Sequence, residues 1–182
     1  MKITAEAYPI QGLIKYHGLL DPVRRIPFHD SISICAEAMK TTTTVETSRD
    51  LAEDEVAVNG IRLDGKERGR VLVVLDELRR VANVKDKMRV VSENNVKVGK
   101  GLGFSASGFA ALGVAASKAL GVSLDHVTLS EIVRLGAGSA TRSLAGGYAL
   151  WYANKSGRSY AQQIAPPDAL DLAMVIVPVS SD

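Results

Sequence analysis

Gly99-Lys100-Gly101-Leu102-Gly103-Phe104-Ser105-Ala106-Ser107-Gly108 decides how this chain is read, because it runs straight into a segment almost without charge. Ser107 to Leu120 is nearly all Ala, Leu, Val, Phe and Gly, with Lys118 as its only charged residue, which predicts a helix buried on almost every side. Glycines let backbone N–H groups approach a ligand closely, and a helix N-terminus adds partial positive charge, so the natural guest is a phosphate. The candidate phosphate-binding residues are Lys100, Gly101, Gly103, Ser105, Ser107 and Gly108, with Lys97 as a further cation. The competing reading is a glycine-rich turn that lets a helix pack tightly. Four glycines and two serines at a helix start weigh against it.

Two common phosphate loops fit poorly. No G-x-x-x-x-G-K-[ST] run occurs anywhere in the chain. Gly101-x-Gly103-x-x-Ala106, with Asp125 about twenty residues on, meets the loose dinucleotide fingerprint. A hairpin-bearing stretch of about a hundred residues precedes it, however, where that fold would need its first βαβ unit.

Outward from the loop, the periodicity alternates between strand and helix. Ile3 to Tyr8 predicts a strand stopped by Pro9. Ser31 to Ala36 alternates polar and apolar residues as a half-buried strand does, and the β-branched run Thr41–Thr47 reads as its hairpin neighbour. Glu55 to Val58, Asn59-Gly60 and Ile61 to Leu63 form the strongest hairpin signal, since a type I′ turn needs two positive φ angles. Val71, Val74, Leu75, Leu78 and Val81 share one face of a helix expected over Lys66–Ala82. Met88 to Val91 predicts a strand. Thr128 with Glu131 has capping-box spacing for a helix over 128–141, and Gly146–Tyr152 and Leu172–Val177 read as strands. Strands first, then helices mixed with strands, predict an α+β fold with a mixed or antiparallel sheet packed against helices.

Composition narrows the function. Of 182 residues, 46% are hydrophobic and 23% charged, the balance of a chain that folds. Lys plus Arg is 22 and Asp plus Glu 20, and a net charge of +2 gives no reason to expect nucleic-acid binding. No apolar run approaches the roughly 18 residues of a membrane span. The start MKITAEAYP lacks the apolar core of a signal peptide. One cysteine, Cys35, cannot form an intramolecular disulfide, and these features together predict a cytoplasmic protein. His17, His29, His126 and Cys35 show no metal-ligand spacing, so no protein-held metal site is expected.

Three separated blocks carry a family resemblance. The glycine loop resembles the P-x-G-x-G-L-G-S-S-A loop of the GHMP small-molecule kinases. Leu13-Ile-Lys-Tyr-His-Gly-Leu-Leu-Asp21 resembles the L-I-K-Y-W-G-K-R-D segment of diphosphomevalonate decarboxylases. Ser92-Glu-Asn-Asn with Ser107-Gly-Phe-Ala-Ala-Leu112 is similar to their S-x-N-x-P and G-F-A-A-L stretches. Arg134-Leu-Gly-Ala-Gly-Ser-Ala-Thr-Arg-Ser-Leu-Ala-Gly-Gly-Tyr148 resembles their R-x-G-S-G-S-A-C-R-S-L-F-G-G block. Pro9 to Gly18 and Pro27 to Ser31 look more like the archaeal phosphomevalonate decarboxylase branch. Leu19 stands where the diphosphate enzymes carry a second lysine, which favours a monophosphate substrate, although Arg24 and Arg25 lie near enough in sequence to compensate. Phe104 replaces a loop serine, so ATP use is less secure, and a mevalonate 3,5-bisphosphate decarboxylase working without ATP stays open.

The resemblance implies an N-terminal lobe of the GHMP-kinase type, shared with a ribosomal-protein domain, spanning 1–182. It implies ATP- and Mg2+-dependent phosphorylation of the tertiary 3-hydroxyl of a mevalonate phosphate, then loss of phosphate and CO2 to leave an alkene. By position Arg142 would grip the substrate carboxylate beside Ser139, and Lys15 and Tyr16 would face the 5-phosphate or the transferring group. His17 and His29 would be further phosphate donors. The family's catalytic aspartate comes from a D-x-G-P-type segment, which these residues lack, so it is expected on a C-terminal lobe and this piece alone is expected to be inactive. A homodimer is compatible with the resemblance. A GHMP kinase that stops at phosphorylation and a non-catalytic RNA-binding lobe are the competing functions.

Overall fold

The structure is a computed structural model that describes residues 1–96, 102–175 and 177. Strands β1 (Lys2–Ala7), β6 (Thr41–Ser48), β9 (Lys87–Asn94), β7 (Glu55–Val58) and β8 (Ile61–Arg62) form a five-stranded sheet in the order β1-β6-β9-β7-β8. All its ladders are antiparallel except β7–β9, whose parallel pairing is bridged by α1 (Gly65–Ala82). A second sheet runs β11 (Ala161–Ala165), β10 (Tyr148–Trp151), β5 (Ser31–Cys35), β2 (Ile10–Ile14). A small ladder joins β3 (Leu19–Asp21) to β4 (Ile26–Pro27). The remaining helices are α2 (Phe104–Ala119), α3 (His126–Gly136) and α4 (Ala140–Ala145). The α+β class is the one the sequence predicts.

α2 is the central element. It packs on β1 and β6 and against α1, α3 and α4, and eleven of its sixteen residues are buried. Two glycines set that packing distance: a Cβ on Gly113 would lie 2.2 Å from Val133, and one on Gly136 would lie 2.2 Å from the Phe109 ring. The main core joins Val45, Val56, Val74, Leu75, Leu78, Met88 and Val90 to Leu112, Val133 and their neighbours. Toward the start of α2 the same layer turns polar: Thr43 meets Ser92 at 2.9 Å, and Thr41 meets Ser107 at 2.6 Å and Asn94 at 2.7 Å.

The Asn59-Gly60 turn forms as expected, with φ of 50° and 78°. Other expectations need correction. β5 and β6 are not hairpin partners: β5 pairs with β2 and β10, β6 with β1 and β9, and the intervening residues carry the chain from one sheet to the other. Alternation reveals a strand but not which sheet it joins. The cap of α3 is Asp125, whose carboxylate accepts from Thr128 N at 2.9 Å and Thr128 Oγ1 at 2.6 Å, while Glu131 pairs instead with Arg158. The helix expected over 128–141 breaks at extended Ala137 (φ −154°, ψ 127°) and resumes as α4. Val81 is 36% exposed, outside the buried stripe of α1. No strand forms over residues 171–175, which carry no regular structure, and Leu172, Met174 and Val175 are exposed; no strand among the described residues pairs with them.

Candidate active site

Arg142 on α4 is 3% exposed and has no carboxylate partner among the described residues. Its Nη1 donates to Ser31 Oγ at 2.7 Å, and its Nε has no hydrogen-bond partner. The guanidinium carbon lies 5.6 Å from the centroids of both the Tyr16 and the Trp151 rings, which meet edge-on at 4.9 Å and 80°. Two aromatic faces and a hydroxyl therefore hold this cation, and no acid among the described residues pairs with it. Burial pushes its pKa down to about 10, with Tyr16 partly opposing the shift. Arg142 is therefore still charged at neutral pH, and an anionic ligand would relieve the cost of burying that charge.

The backbone makes room for this arrangement. A Cβ at Gly138 would sit 2.6 Å from the Trp151 ring and 3.3 Å from the Tyr16 hydroxyl, so the break between α3 and α4 needs a glycine where the rings close in. Ser139 follows at the N-cap of α4, half-buried, with no side-chain capping bond. Trp151 is fixed by its own Nε1, which donates to Ser159 Oγ at 3.1 Å.

Lys15 reaches the same face by a different route. Its side chain is exposed and lies over Gly12, where a Cβ would meet Lys15 Cγ at 2.9 Å. Gly12 stands opposite Ser33 in the β2–β5 ladder, and opposed residues share a face of the sheet. Ser31 and Ser33 lie two apart on that face, so the Lys15 stem and Arg142 lie on the same side. The head of α2 abuts β2 here too. Gly103, with φ of 77°, has room only for hydrogen, because a Cβ would be 2.8 Å from the Ile10 carbonyl oxygen. Gly103 thus abuts β2 at Ile10, two residues from the Gly12 over which Lys15 lies.

A separate cleft of about 230 Å3 opens beside the first turn of α2. Val56, Val58 and Val71 supply apolar wall, and Thr43, Ser92 and Asn94 supply polar edge. Ser105 and Gly108 line it from α2, and the space beside Gly108 is open. Flat apolar walls with a polar edge at a helix start suit a nucleotide. Ser107 is committed elsewhere: fully buried, it bonds Thr41 Oγ1 at 2.6 Å and the Phe104 carbonyl at 3.2 Å, so it joins the sheet to α2. Lys97, Lys100 and Gly101 lie outside the described residues.

His17 and His29 are both exposed, and the His29 ring is engaged with the protein. His29 Nε2 accepts from the His17 backbone N–H at 3.3 Å and its Nδ1 donates to the Asp30 carbonyl at 2.8 Å, which fixes the tautomer and uses both nitrogens. A phosphate bond from the His29 ring would have to displace one of these. Arg25 is likewise used in docking, its Nε donating to the Leu135 carbonyl at 2.8 Å. Cys35 is buried and its thiol is pushed up to about 11, so it stays protonated and is no nucleophile. Among the described residues no three His, Cys, Asp or Glu side chains are grouped to hold a metal ion. Sequence reasoning missed Ser31. The only signal for Ser31 was its place in an alternating strand, which says nothing of a partner 111 residues away.

A cation held this way is equipped to bind a small anion, and the separate cleft at the α2 start offers a second place for a ligand. The diphosphomevalonate decarboxylase-like N-terminal domain matches residues 7–161, and the chain belongs to that family. A phosphomevalonate decarboxylase of Haloferax volcanii is 41% identical over 152 residues, covering 84% of this chain and 47% of that protein. The chain spans about half the length of the curated relatives it matches. A mevalonate diphosphate decarboxylase structure from Enterococcus faecalis superposes with a TM-score of 0.84 at 36% identity, covering 91% of this chain and 52% of that one. A structure described as a complex with MVAPP, AMPPCP and magnesium gives the same TM-score. A mevalonate-3-kinase from Thermoplasma acidophilum, bound to mevalonate 3-phosphate and ADP, superposes with a TM-score of 0.73 at 26% identity, covering 92% of this chain and 52% of that one.

Proposed function

We propose that this chain is the substrate- and nucleotide-binding lobe of an ATP-dependent decarboxylase acting on a phosphorylated mevalonate. The observation that carries the reading is Arg142: buried, without an acidic partner among the described residues, and on the same face as Lys15. A guanidinium binds a carboxylate through two parallel bonds, which fixes its orientation as well as its position. Orientation is what the chemistry needs. When the 3-phosphate leaves, the C3–O bond breaks, and the electrons of the C1–C2 bond must be aligned to form the C2=C3 alkene as CO2 departs. Arg142 holds the carboxylate in that alignment, and the half-buried Ser139 hydroxyl is the adjacent donor.

Lys15 and the Tyr16 hydroxyl face the phosphate of the substrate or the group in transfer. The cleft at the α2 start holds the nucleotide, with Ser105 and the open backbone at Gly108 nearest its phosphates. ATP would supply the phosphoryl group and Mg2+ would neutralise its charge; with so few protein ligands at hand, the ion would be held mainly by phosphate oxygens and water. The catalytic aspartate would belong to a C-terminal lobe beyond these residues. Similarity to the Haloferax enzyme supports the 5-monophosphate as substrate and an archaeal-type enzyme. The lone buried thiol suits a cytoplasmic setting.

Full-length protein given ATP, Mg2+ and either mevalonate 5-phosphate or 5-diphosphate tests the reading by mass spectrometry. We expect isopentenyl phosphate or diphosphate with one CO2 and one phosphate per turnover. The mevalonate-3-kinase likeness favours a second reading, in which the 3-phosphorylated compound accumulates and no CO2 appears; that result would replace the decarboxylase.

A further inference from the structure

Arg142 and Arg134 are both deeply buried and held by neutral acceptors, but the Arg134 Nε and Nη1 donate to the Arg24 and Ser159 carbonyls whereas the Arg142 Nε has no partner. The Arg142 acceptor is a neutral hydroxyl, Ser31 Oγ at 2.7 Å, on a residue only 1% exposed. A carboxylate is close in sequence, since Asp30 is the preceding residue, yet its Oδ1 accepts from the Ala153 backbone N–H at 2.7 Å. Elsewhere the same fold holds a buried guanidinium with acid: Arg79 donates to both oxygens of Asp54 at 2.9 Å. Ser31 also stands opposite Trp151 in the β5–β10 ladder, so one strand pair sets both the acceptor and one aromatic wall around Arg142.

We propose that Ser31 is a positioning residue for carboxylate recognition, fixing the Arg142 guanidinium with a neutral acceptor so that its whole charge remains for the anionic ligand. This rests on the decarboxylase reading above. An acidic side chain at position 31 would hold the guanidinium as firmly but compete with the substrate carboxylate for the same charge. A hydroxyl orients without competing. Ser33 cannot take over the task, because it lies a further two residues along the strand, about 7 Å away.

The test compares Ser31→Ala, Ser31→Thr and Ser31→Asp in the full-length protein. Steady-state kinetics would use ATP, Mg2+ and mevalonate 5-phosphate, then mevalonate 5-diphosphate, with melting curves to confirm folding. Ser31→Ala should raise KM for the mevalonate substrate about tenfold or more, as loss of a hydrogen bond to a charged group does, and leave KM for ATP unchanged. Ser31→Thr, which restores the hydroxyl, should recover most of the loss. Ser31→Asp keeps an acceptor but adds charge, and should bind the mevalonate substrate more weakly than Ser31→Ala while melting no lower. An alanine variant with unchanged KM, or an aspartate variant that matches wild type, would overturn the proposal. If the alanine variant does not fold, the other two still decide it: Ser31→Thr should keep a near wild-type KM for the mevalonate substrate and Ser31→Asp should raise it. A wild-type protein that turns over neither mevalonate compound would overturn the decarboxylase reading and this role with it.

Discussion

Arg79 and Arg142 are both buried guanidinium groups, 7% and 3% exposed, and the fold treats them in opposite ways. Arg79 on α1 meets Asp54 through two bonds of 2.9 Å and also pairs with Asp76. Asp54 in turn accepts from the Met88 backbone N–H at 2.8 Å, which ties the start of β9 to the segment before β7. That group is closed and structural. Arg142 has one hydroxyl partner, two ring faces and a bare Nε. Burial alone does not mark a functional cation, nor does the lack of an acid: Arg134, 2% exposed, donates its Nε and Nη1 to the Arg24 and Ser159 carbonyls. Arg142 differs from both in keeping an unpartnered Nε, a buried donor that an anion would satisfy.

The contrast can be broken from either side. Arg142→Ala should lower turnover of the full-length protein by about 100-fold or more through lost alignment of the carboxylate, with little change in melting temperature. Arg79→Ala should do the reverse. It strands Asp54 as an unpaired buried charge and should lower unfolding free energy by about 3–5 kcal/mol in denaturant titrations, with KM unchanged in whatever remains folded. If both variants lose only stability, Arg142 is a second structural arginine.

A smaller effect would sharpen the substrate side. Leu19 lies half-buried in β3, in the segment that follows Lys15 and Tyr16. Leu19→Lys should shift the ratio of kcat/KM values toward mevalonate 5-diphosphate by roughly tenfold, the worth of one charge-assisted bond. An unchanged ratio would remove the argument for the monophosphate from this residue.

The smallest effect lies at the α3 cap. The bonds from Thr128 hold the Asp125 carboxyl below the ordinary aspartate value of 3.8. A carboxyl depressed in the folded state adds stability that is present above the unfolded value and is lost as pH falls through the lower folded one. Between pH 5 and pH 2 the wild type should therefore lose slightly more melting temperature than Asp125→Asn, which caps without titrating. Equal losses would show that the cap contributes no pH dependence.

What could be read from sequence followed the range of the interaction. The Asn59-Gly60 hairpin and the α1 stripe from Val71 to Leu78 depend on neighbours within a few residues, and both appear in the structure. The α3 cap was misplaced because Asp125 and Thr128 both offer a capping oxygen, and only geometry shows that Thr128 serves as donor to Asp125. The pairing of β5 with β2 and β10 was hidden, since alternation in Ser31–Cys35 fits any sheet with one buried face. Arg142 and Lys15 entered through family-like blocks, and no local rule singled them out. Ser31 and the seating of Lys15 over Gly12 follow only from the β2–β5 and β5–β10 registers, which no single segment encodes.

The most direct test is a structure of the full-length protein with mevalonate 5-phosphate bound. The substrate carboxylate should lie within hydrogen-bond distance of the Arg142 guanidinium, still anchored on Ser31, with Lys15 on the same side of the ligand. A carboxylate bound elsewhere, or an Arg142 that remains packed between Tyr16 and Trp151 without touching the substrate, would contradict the account.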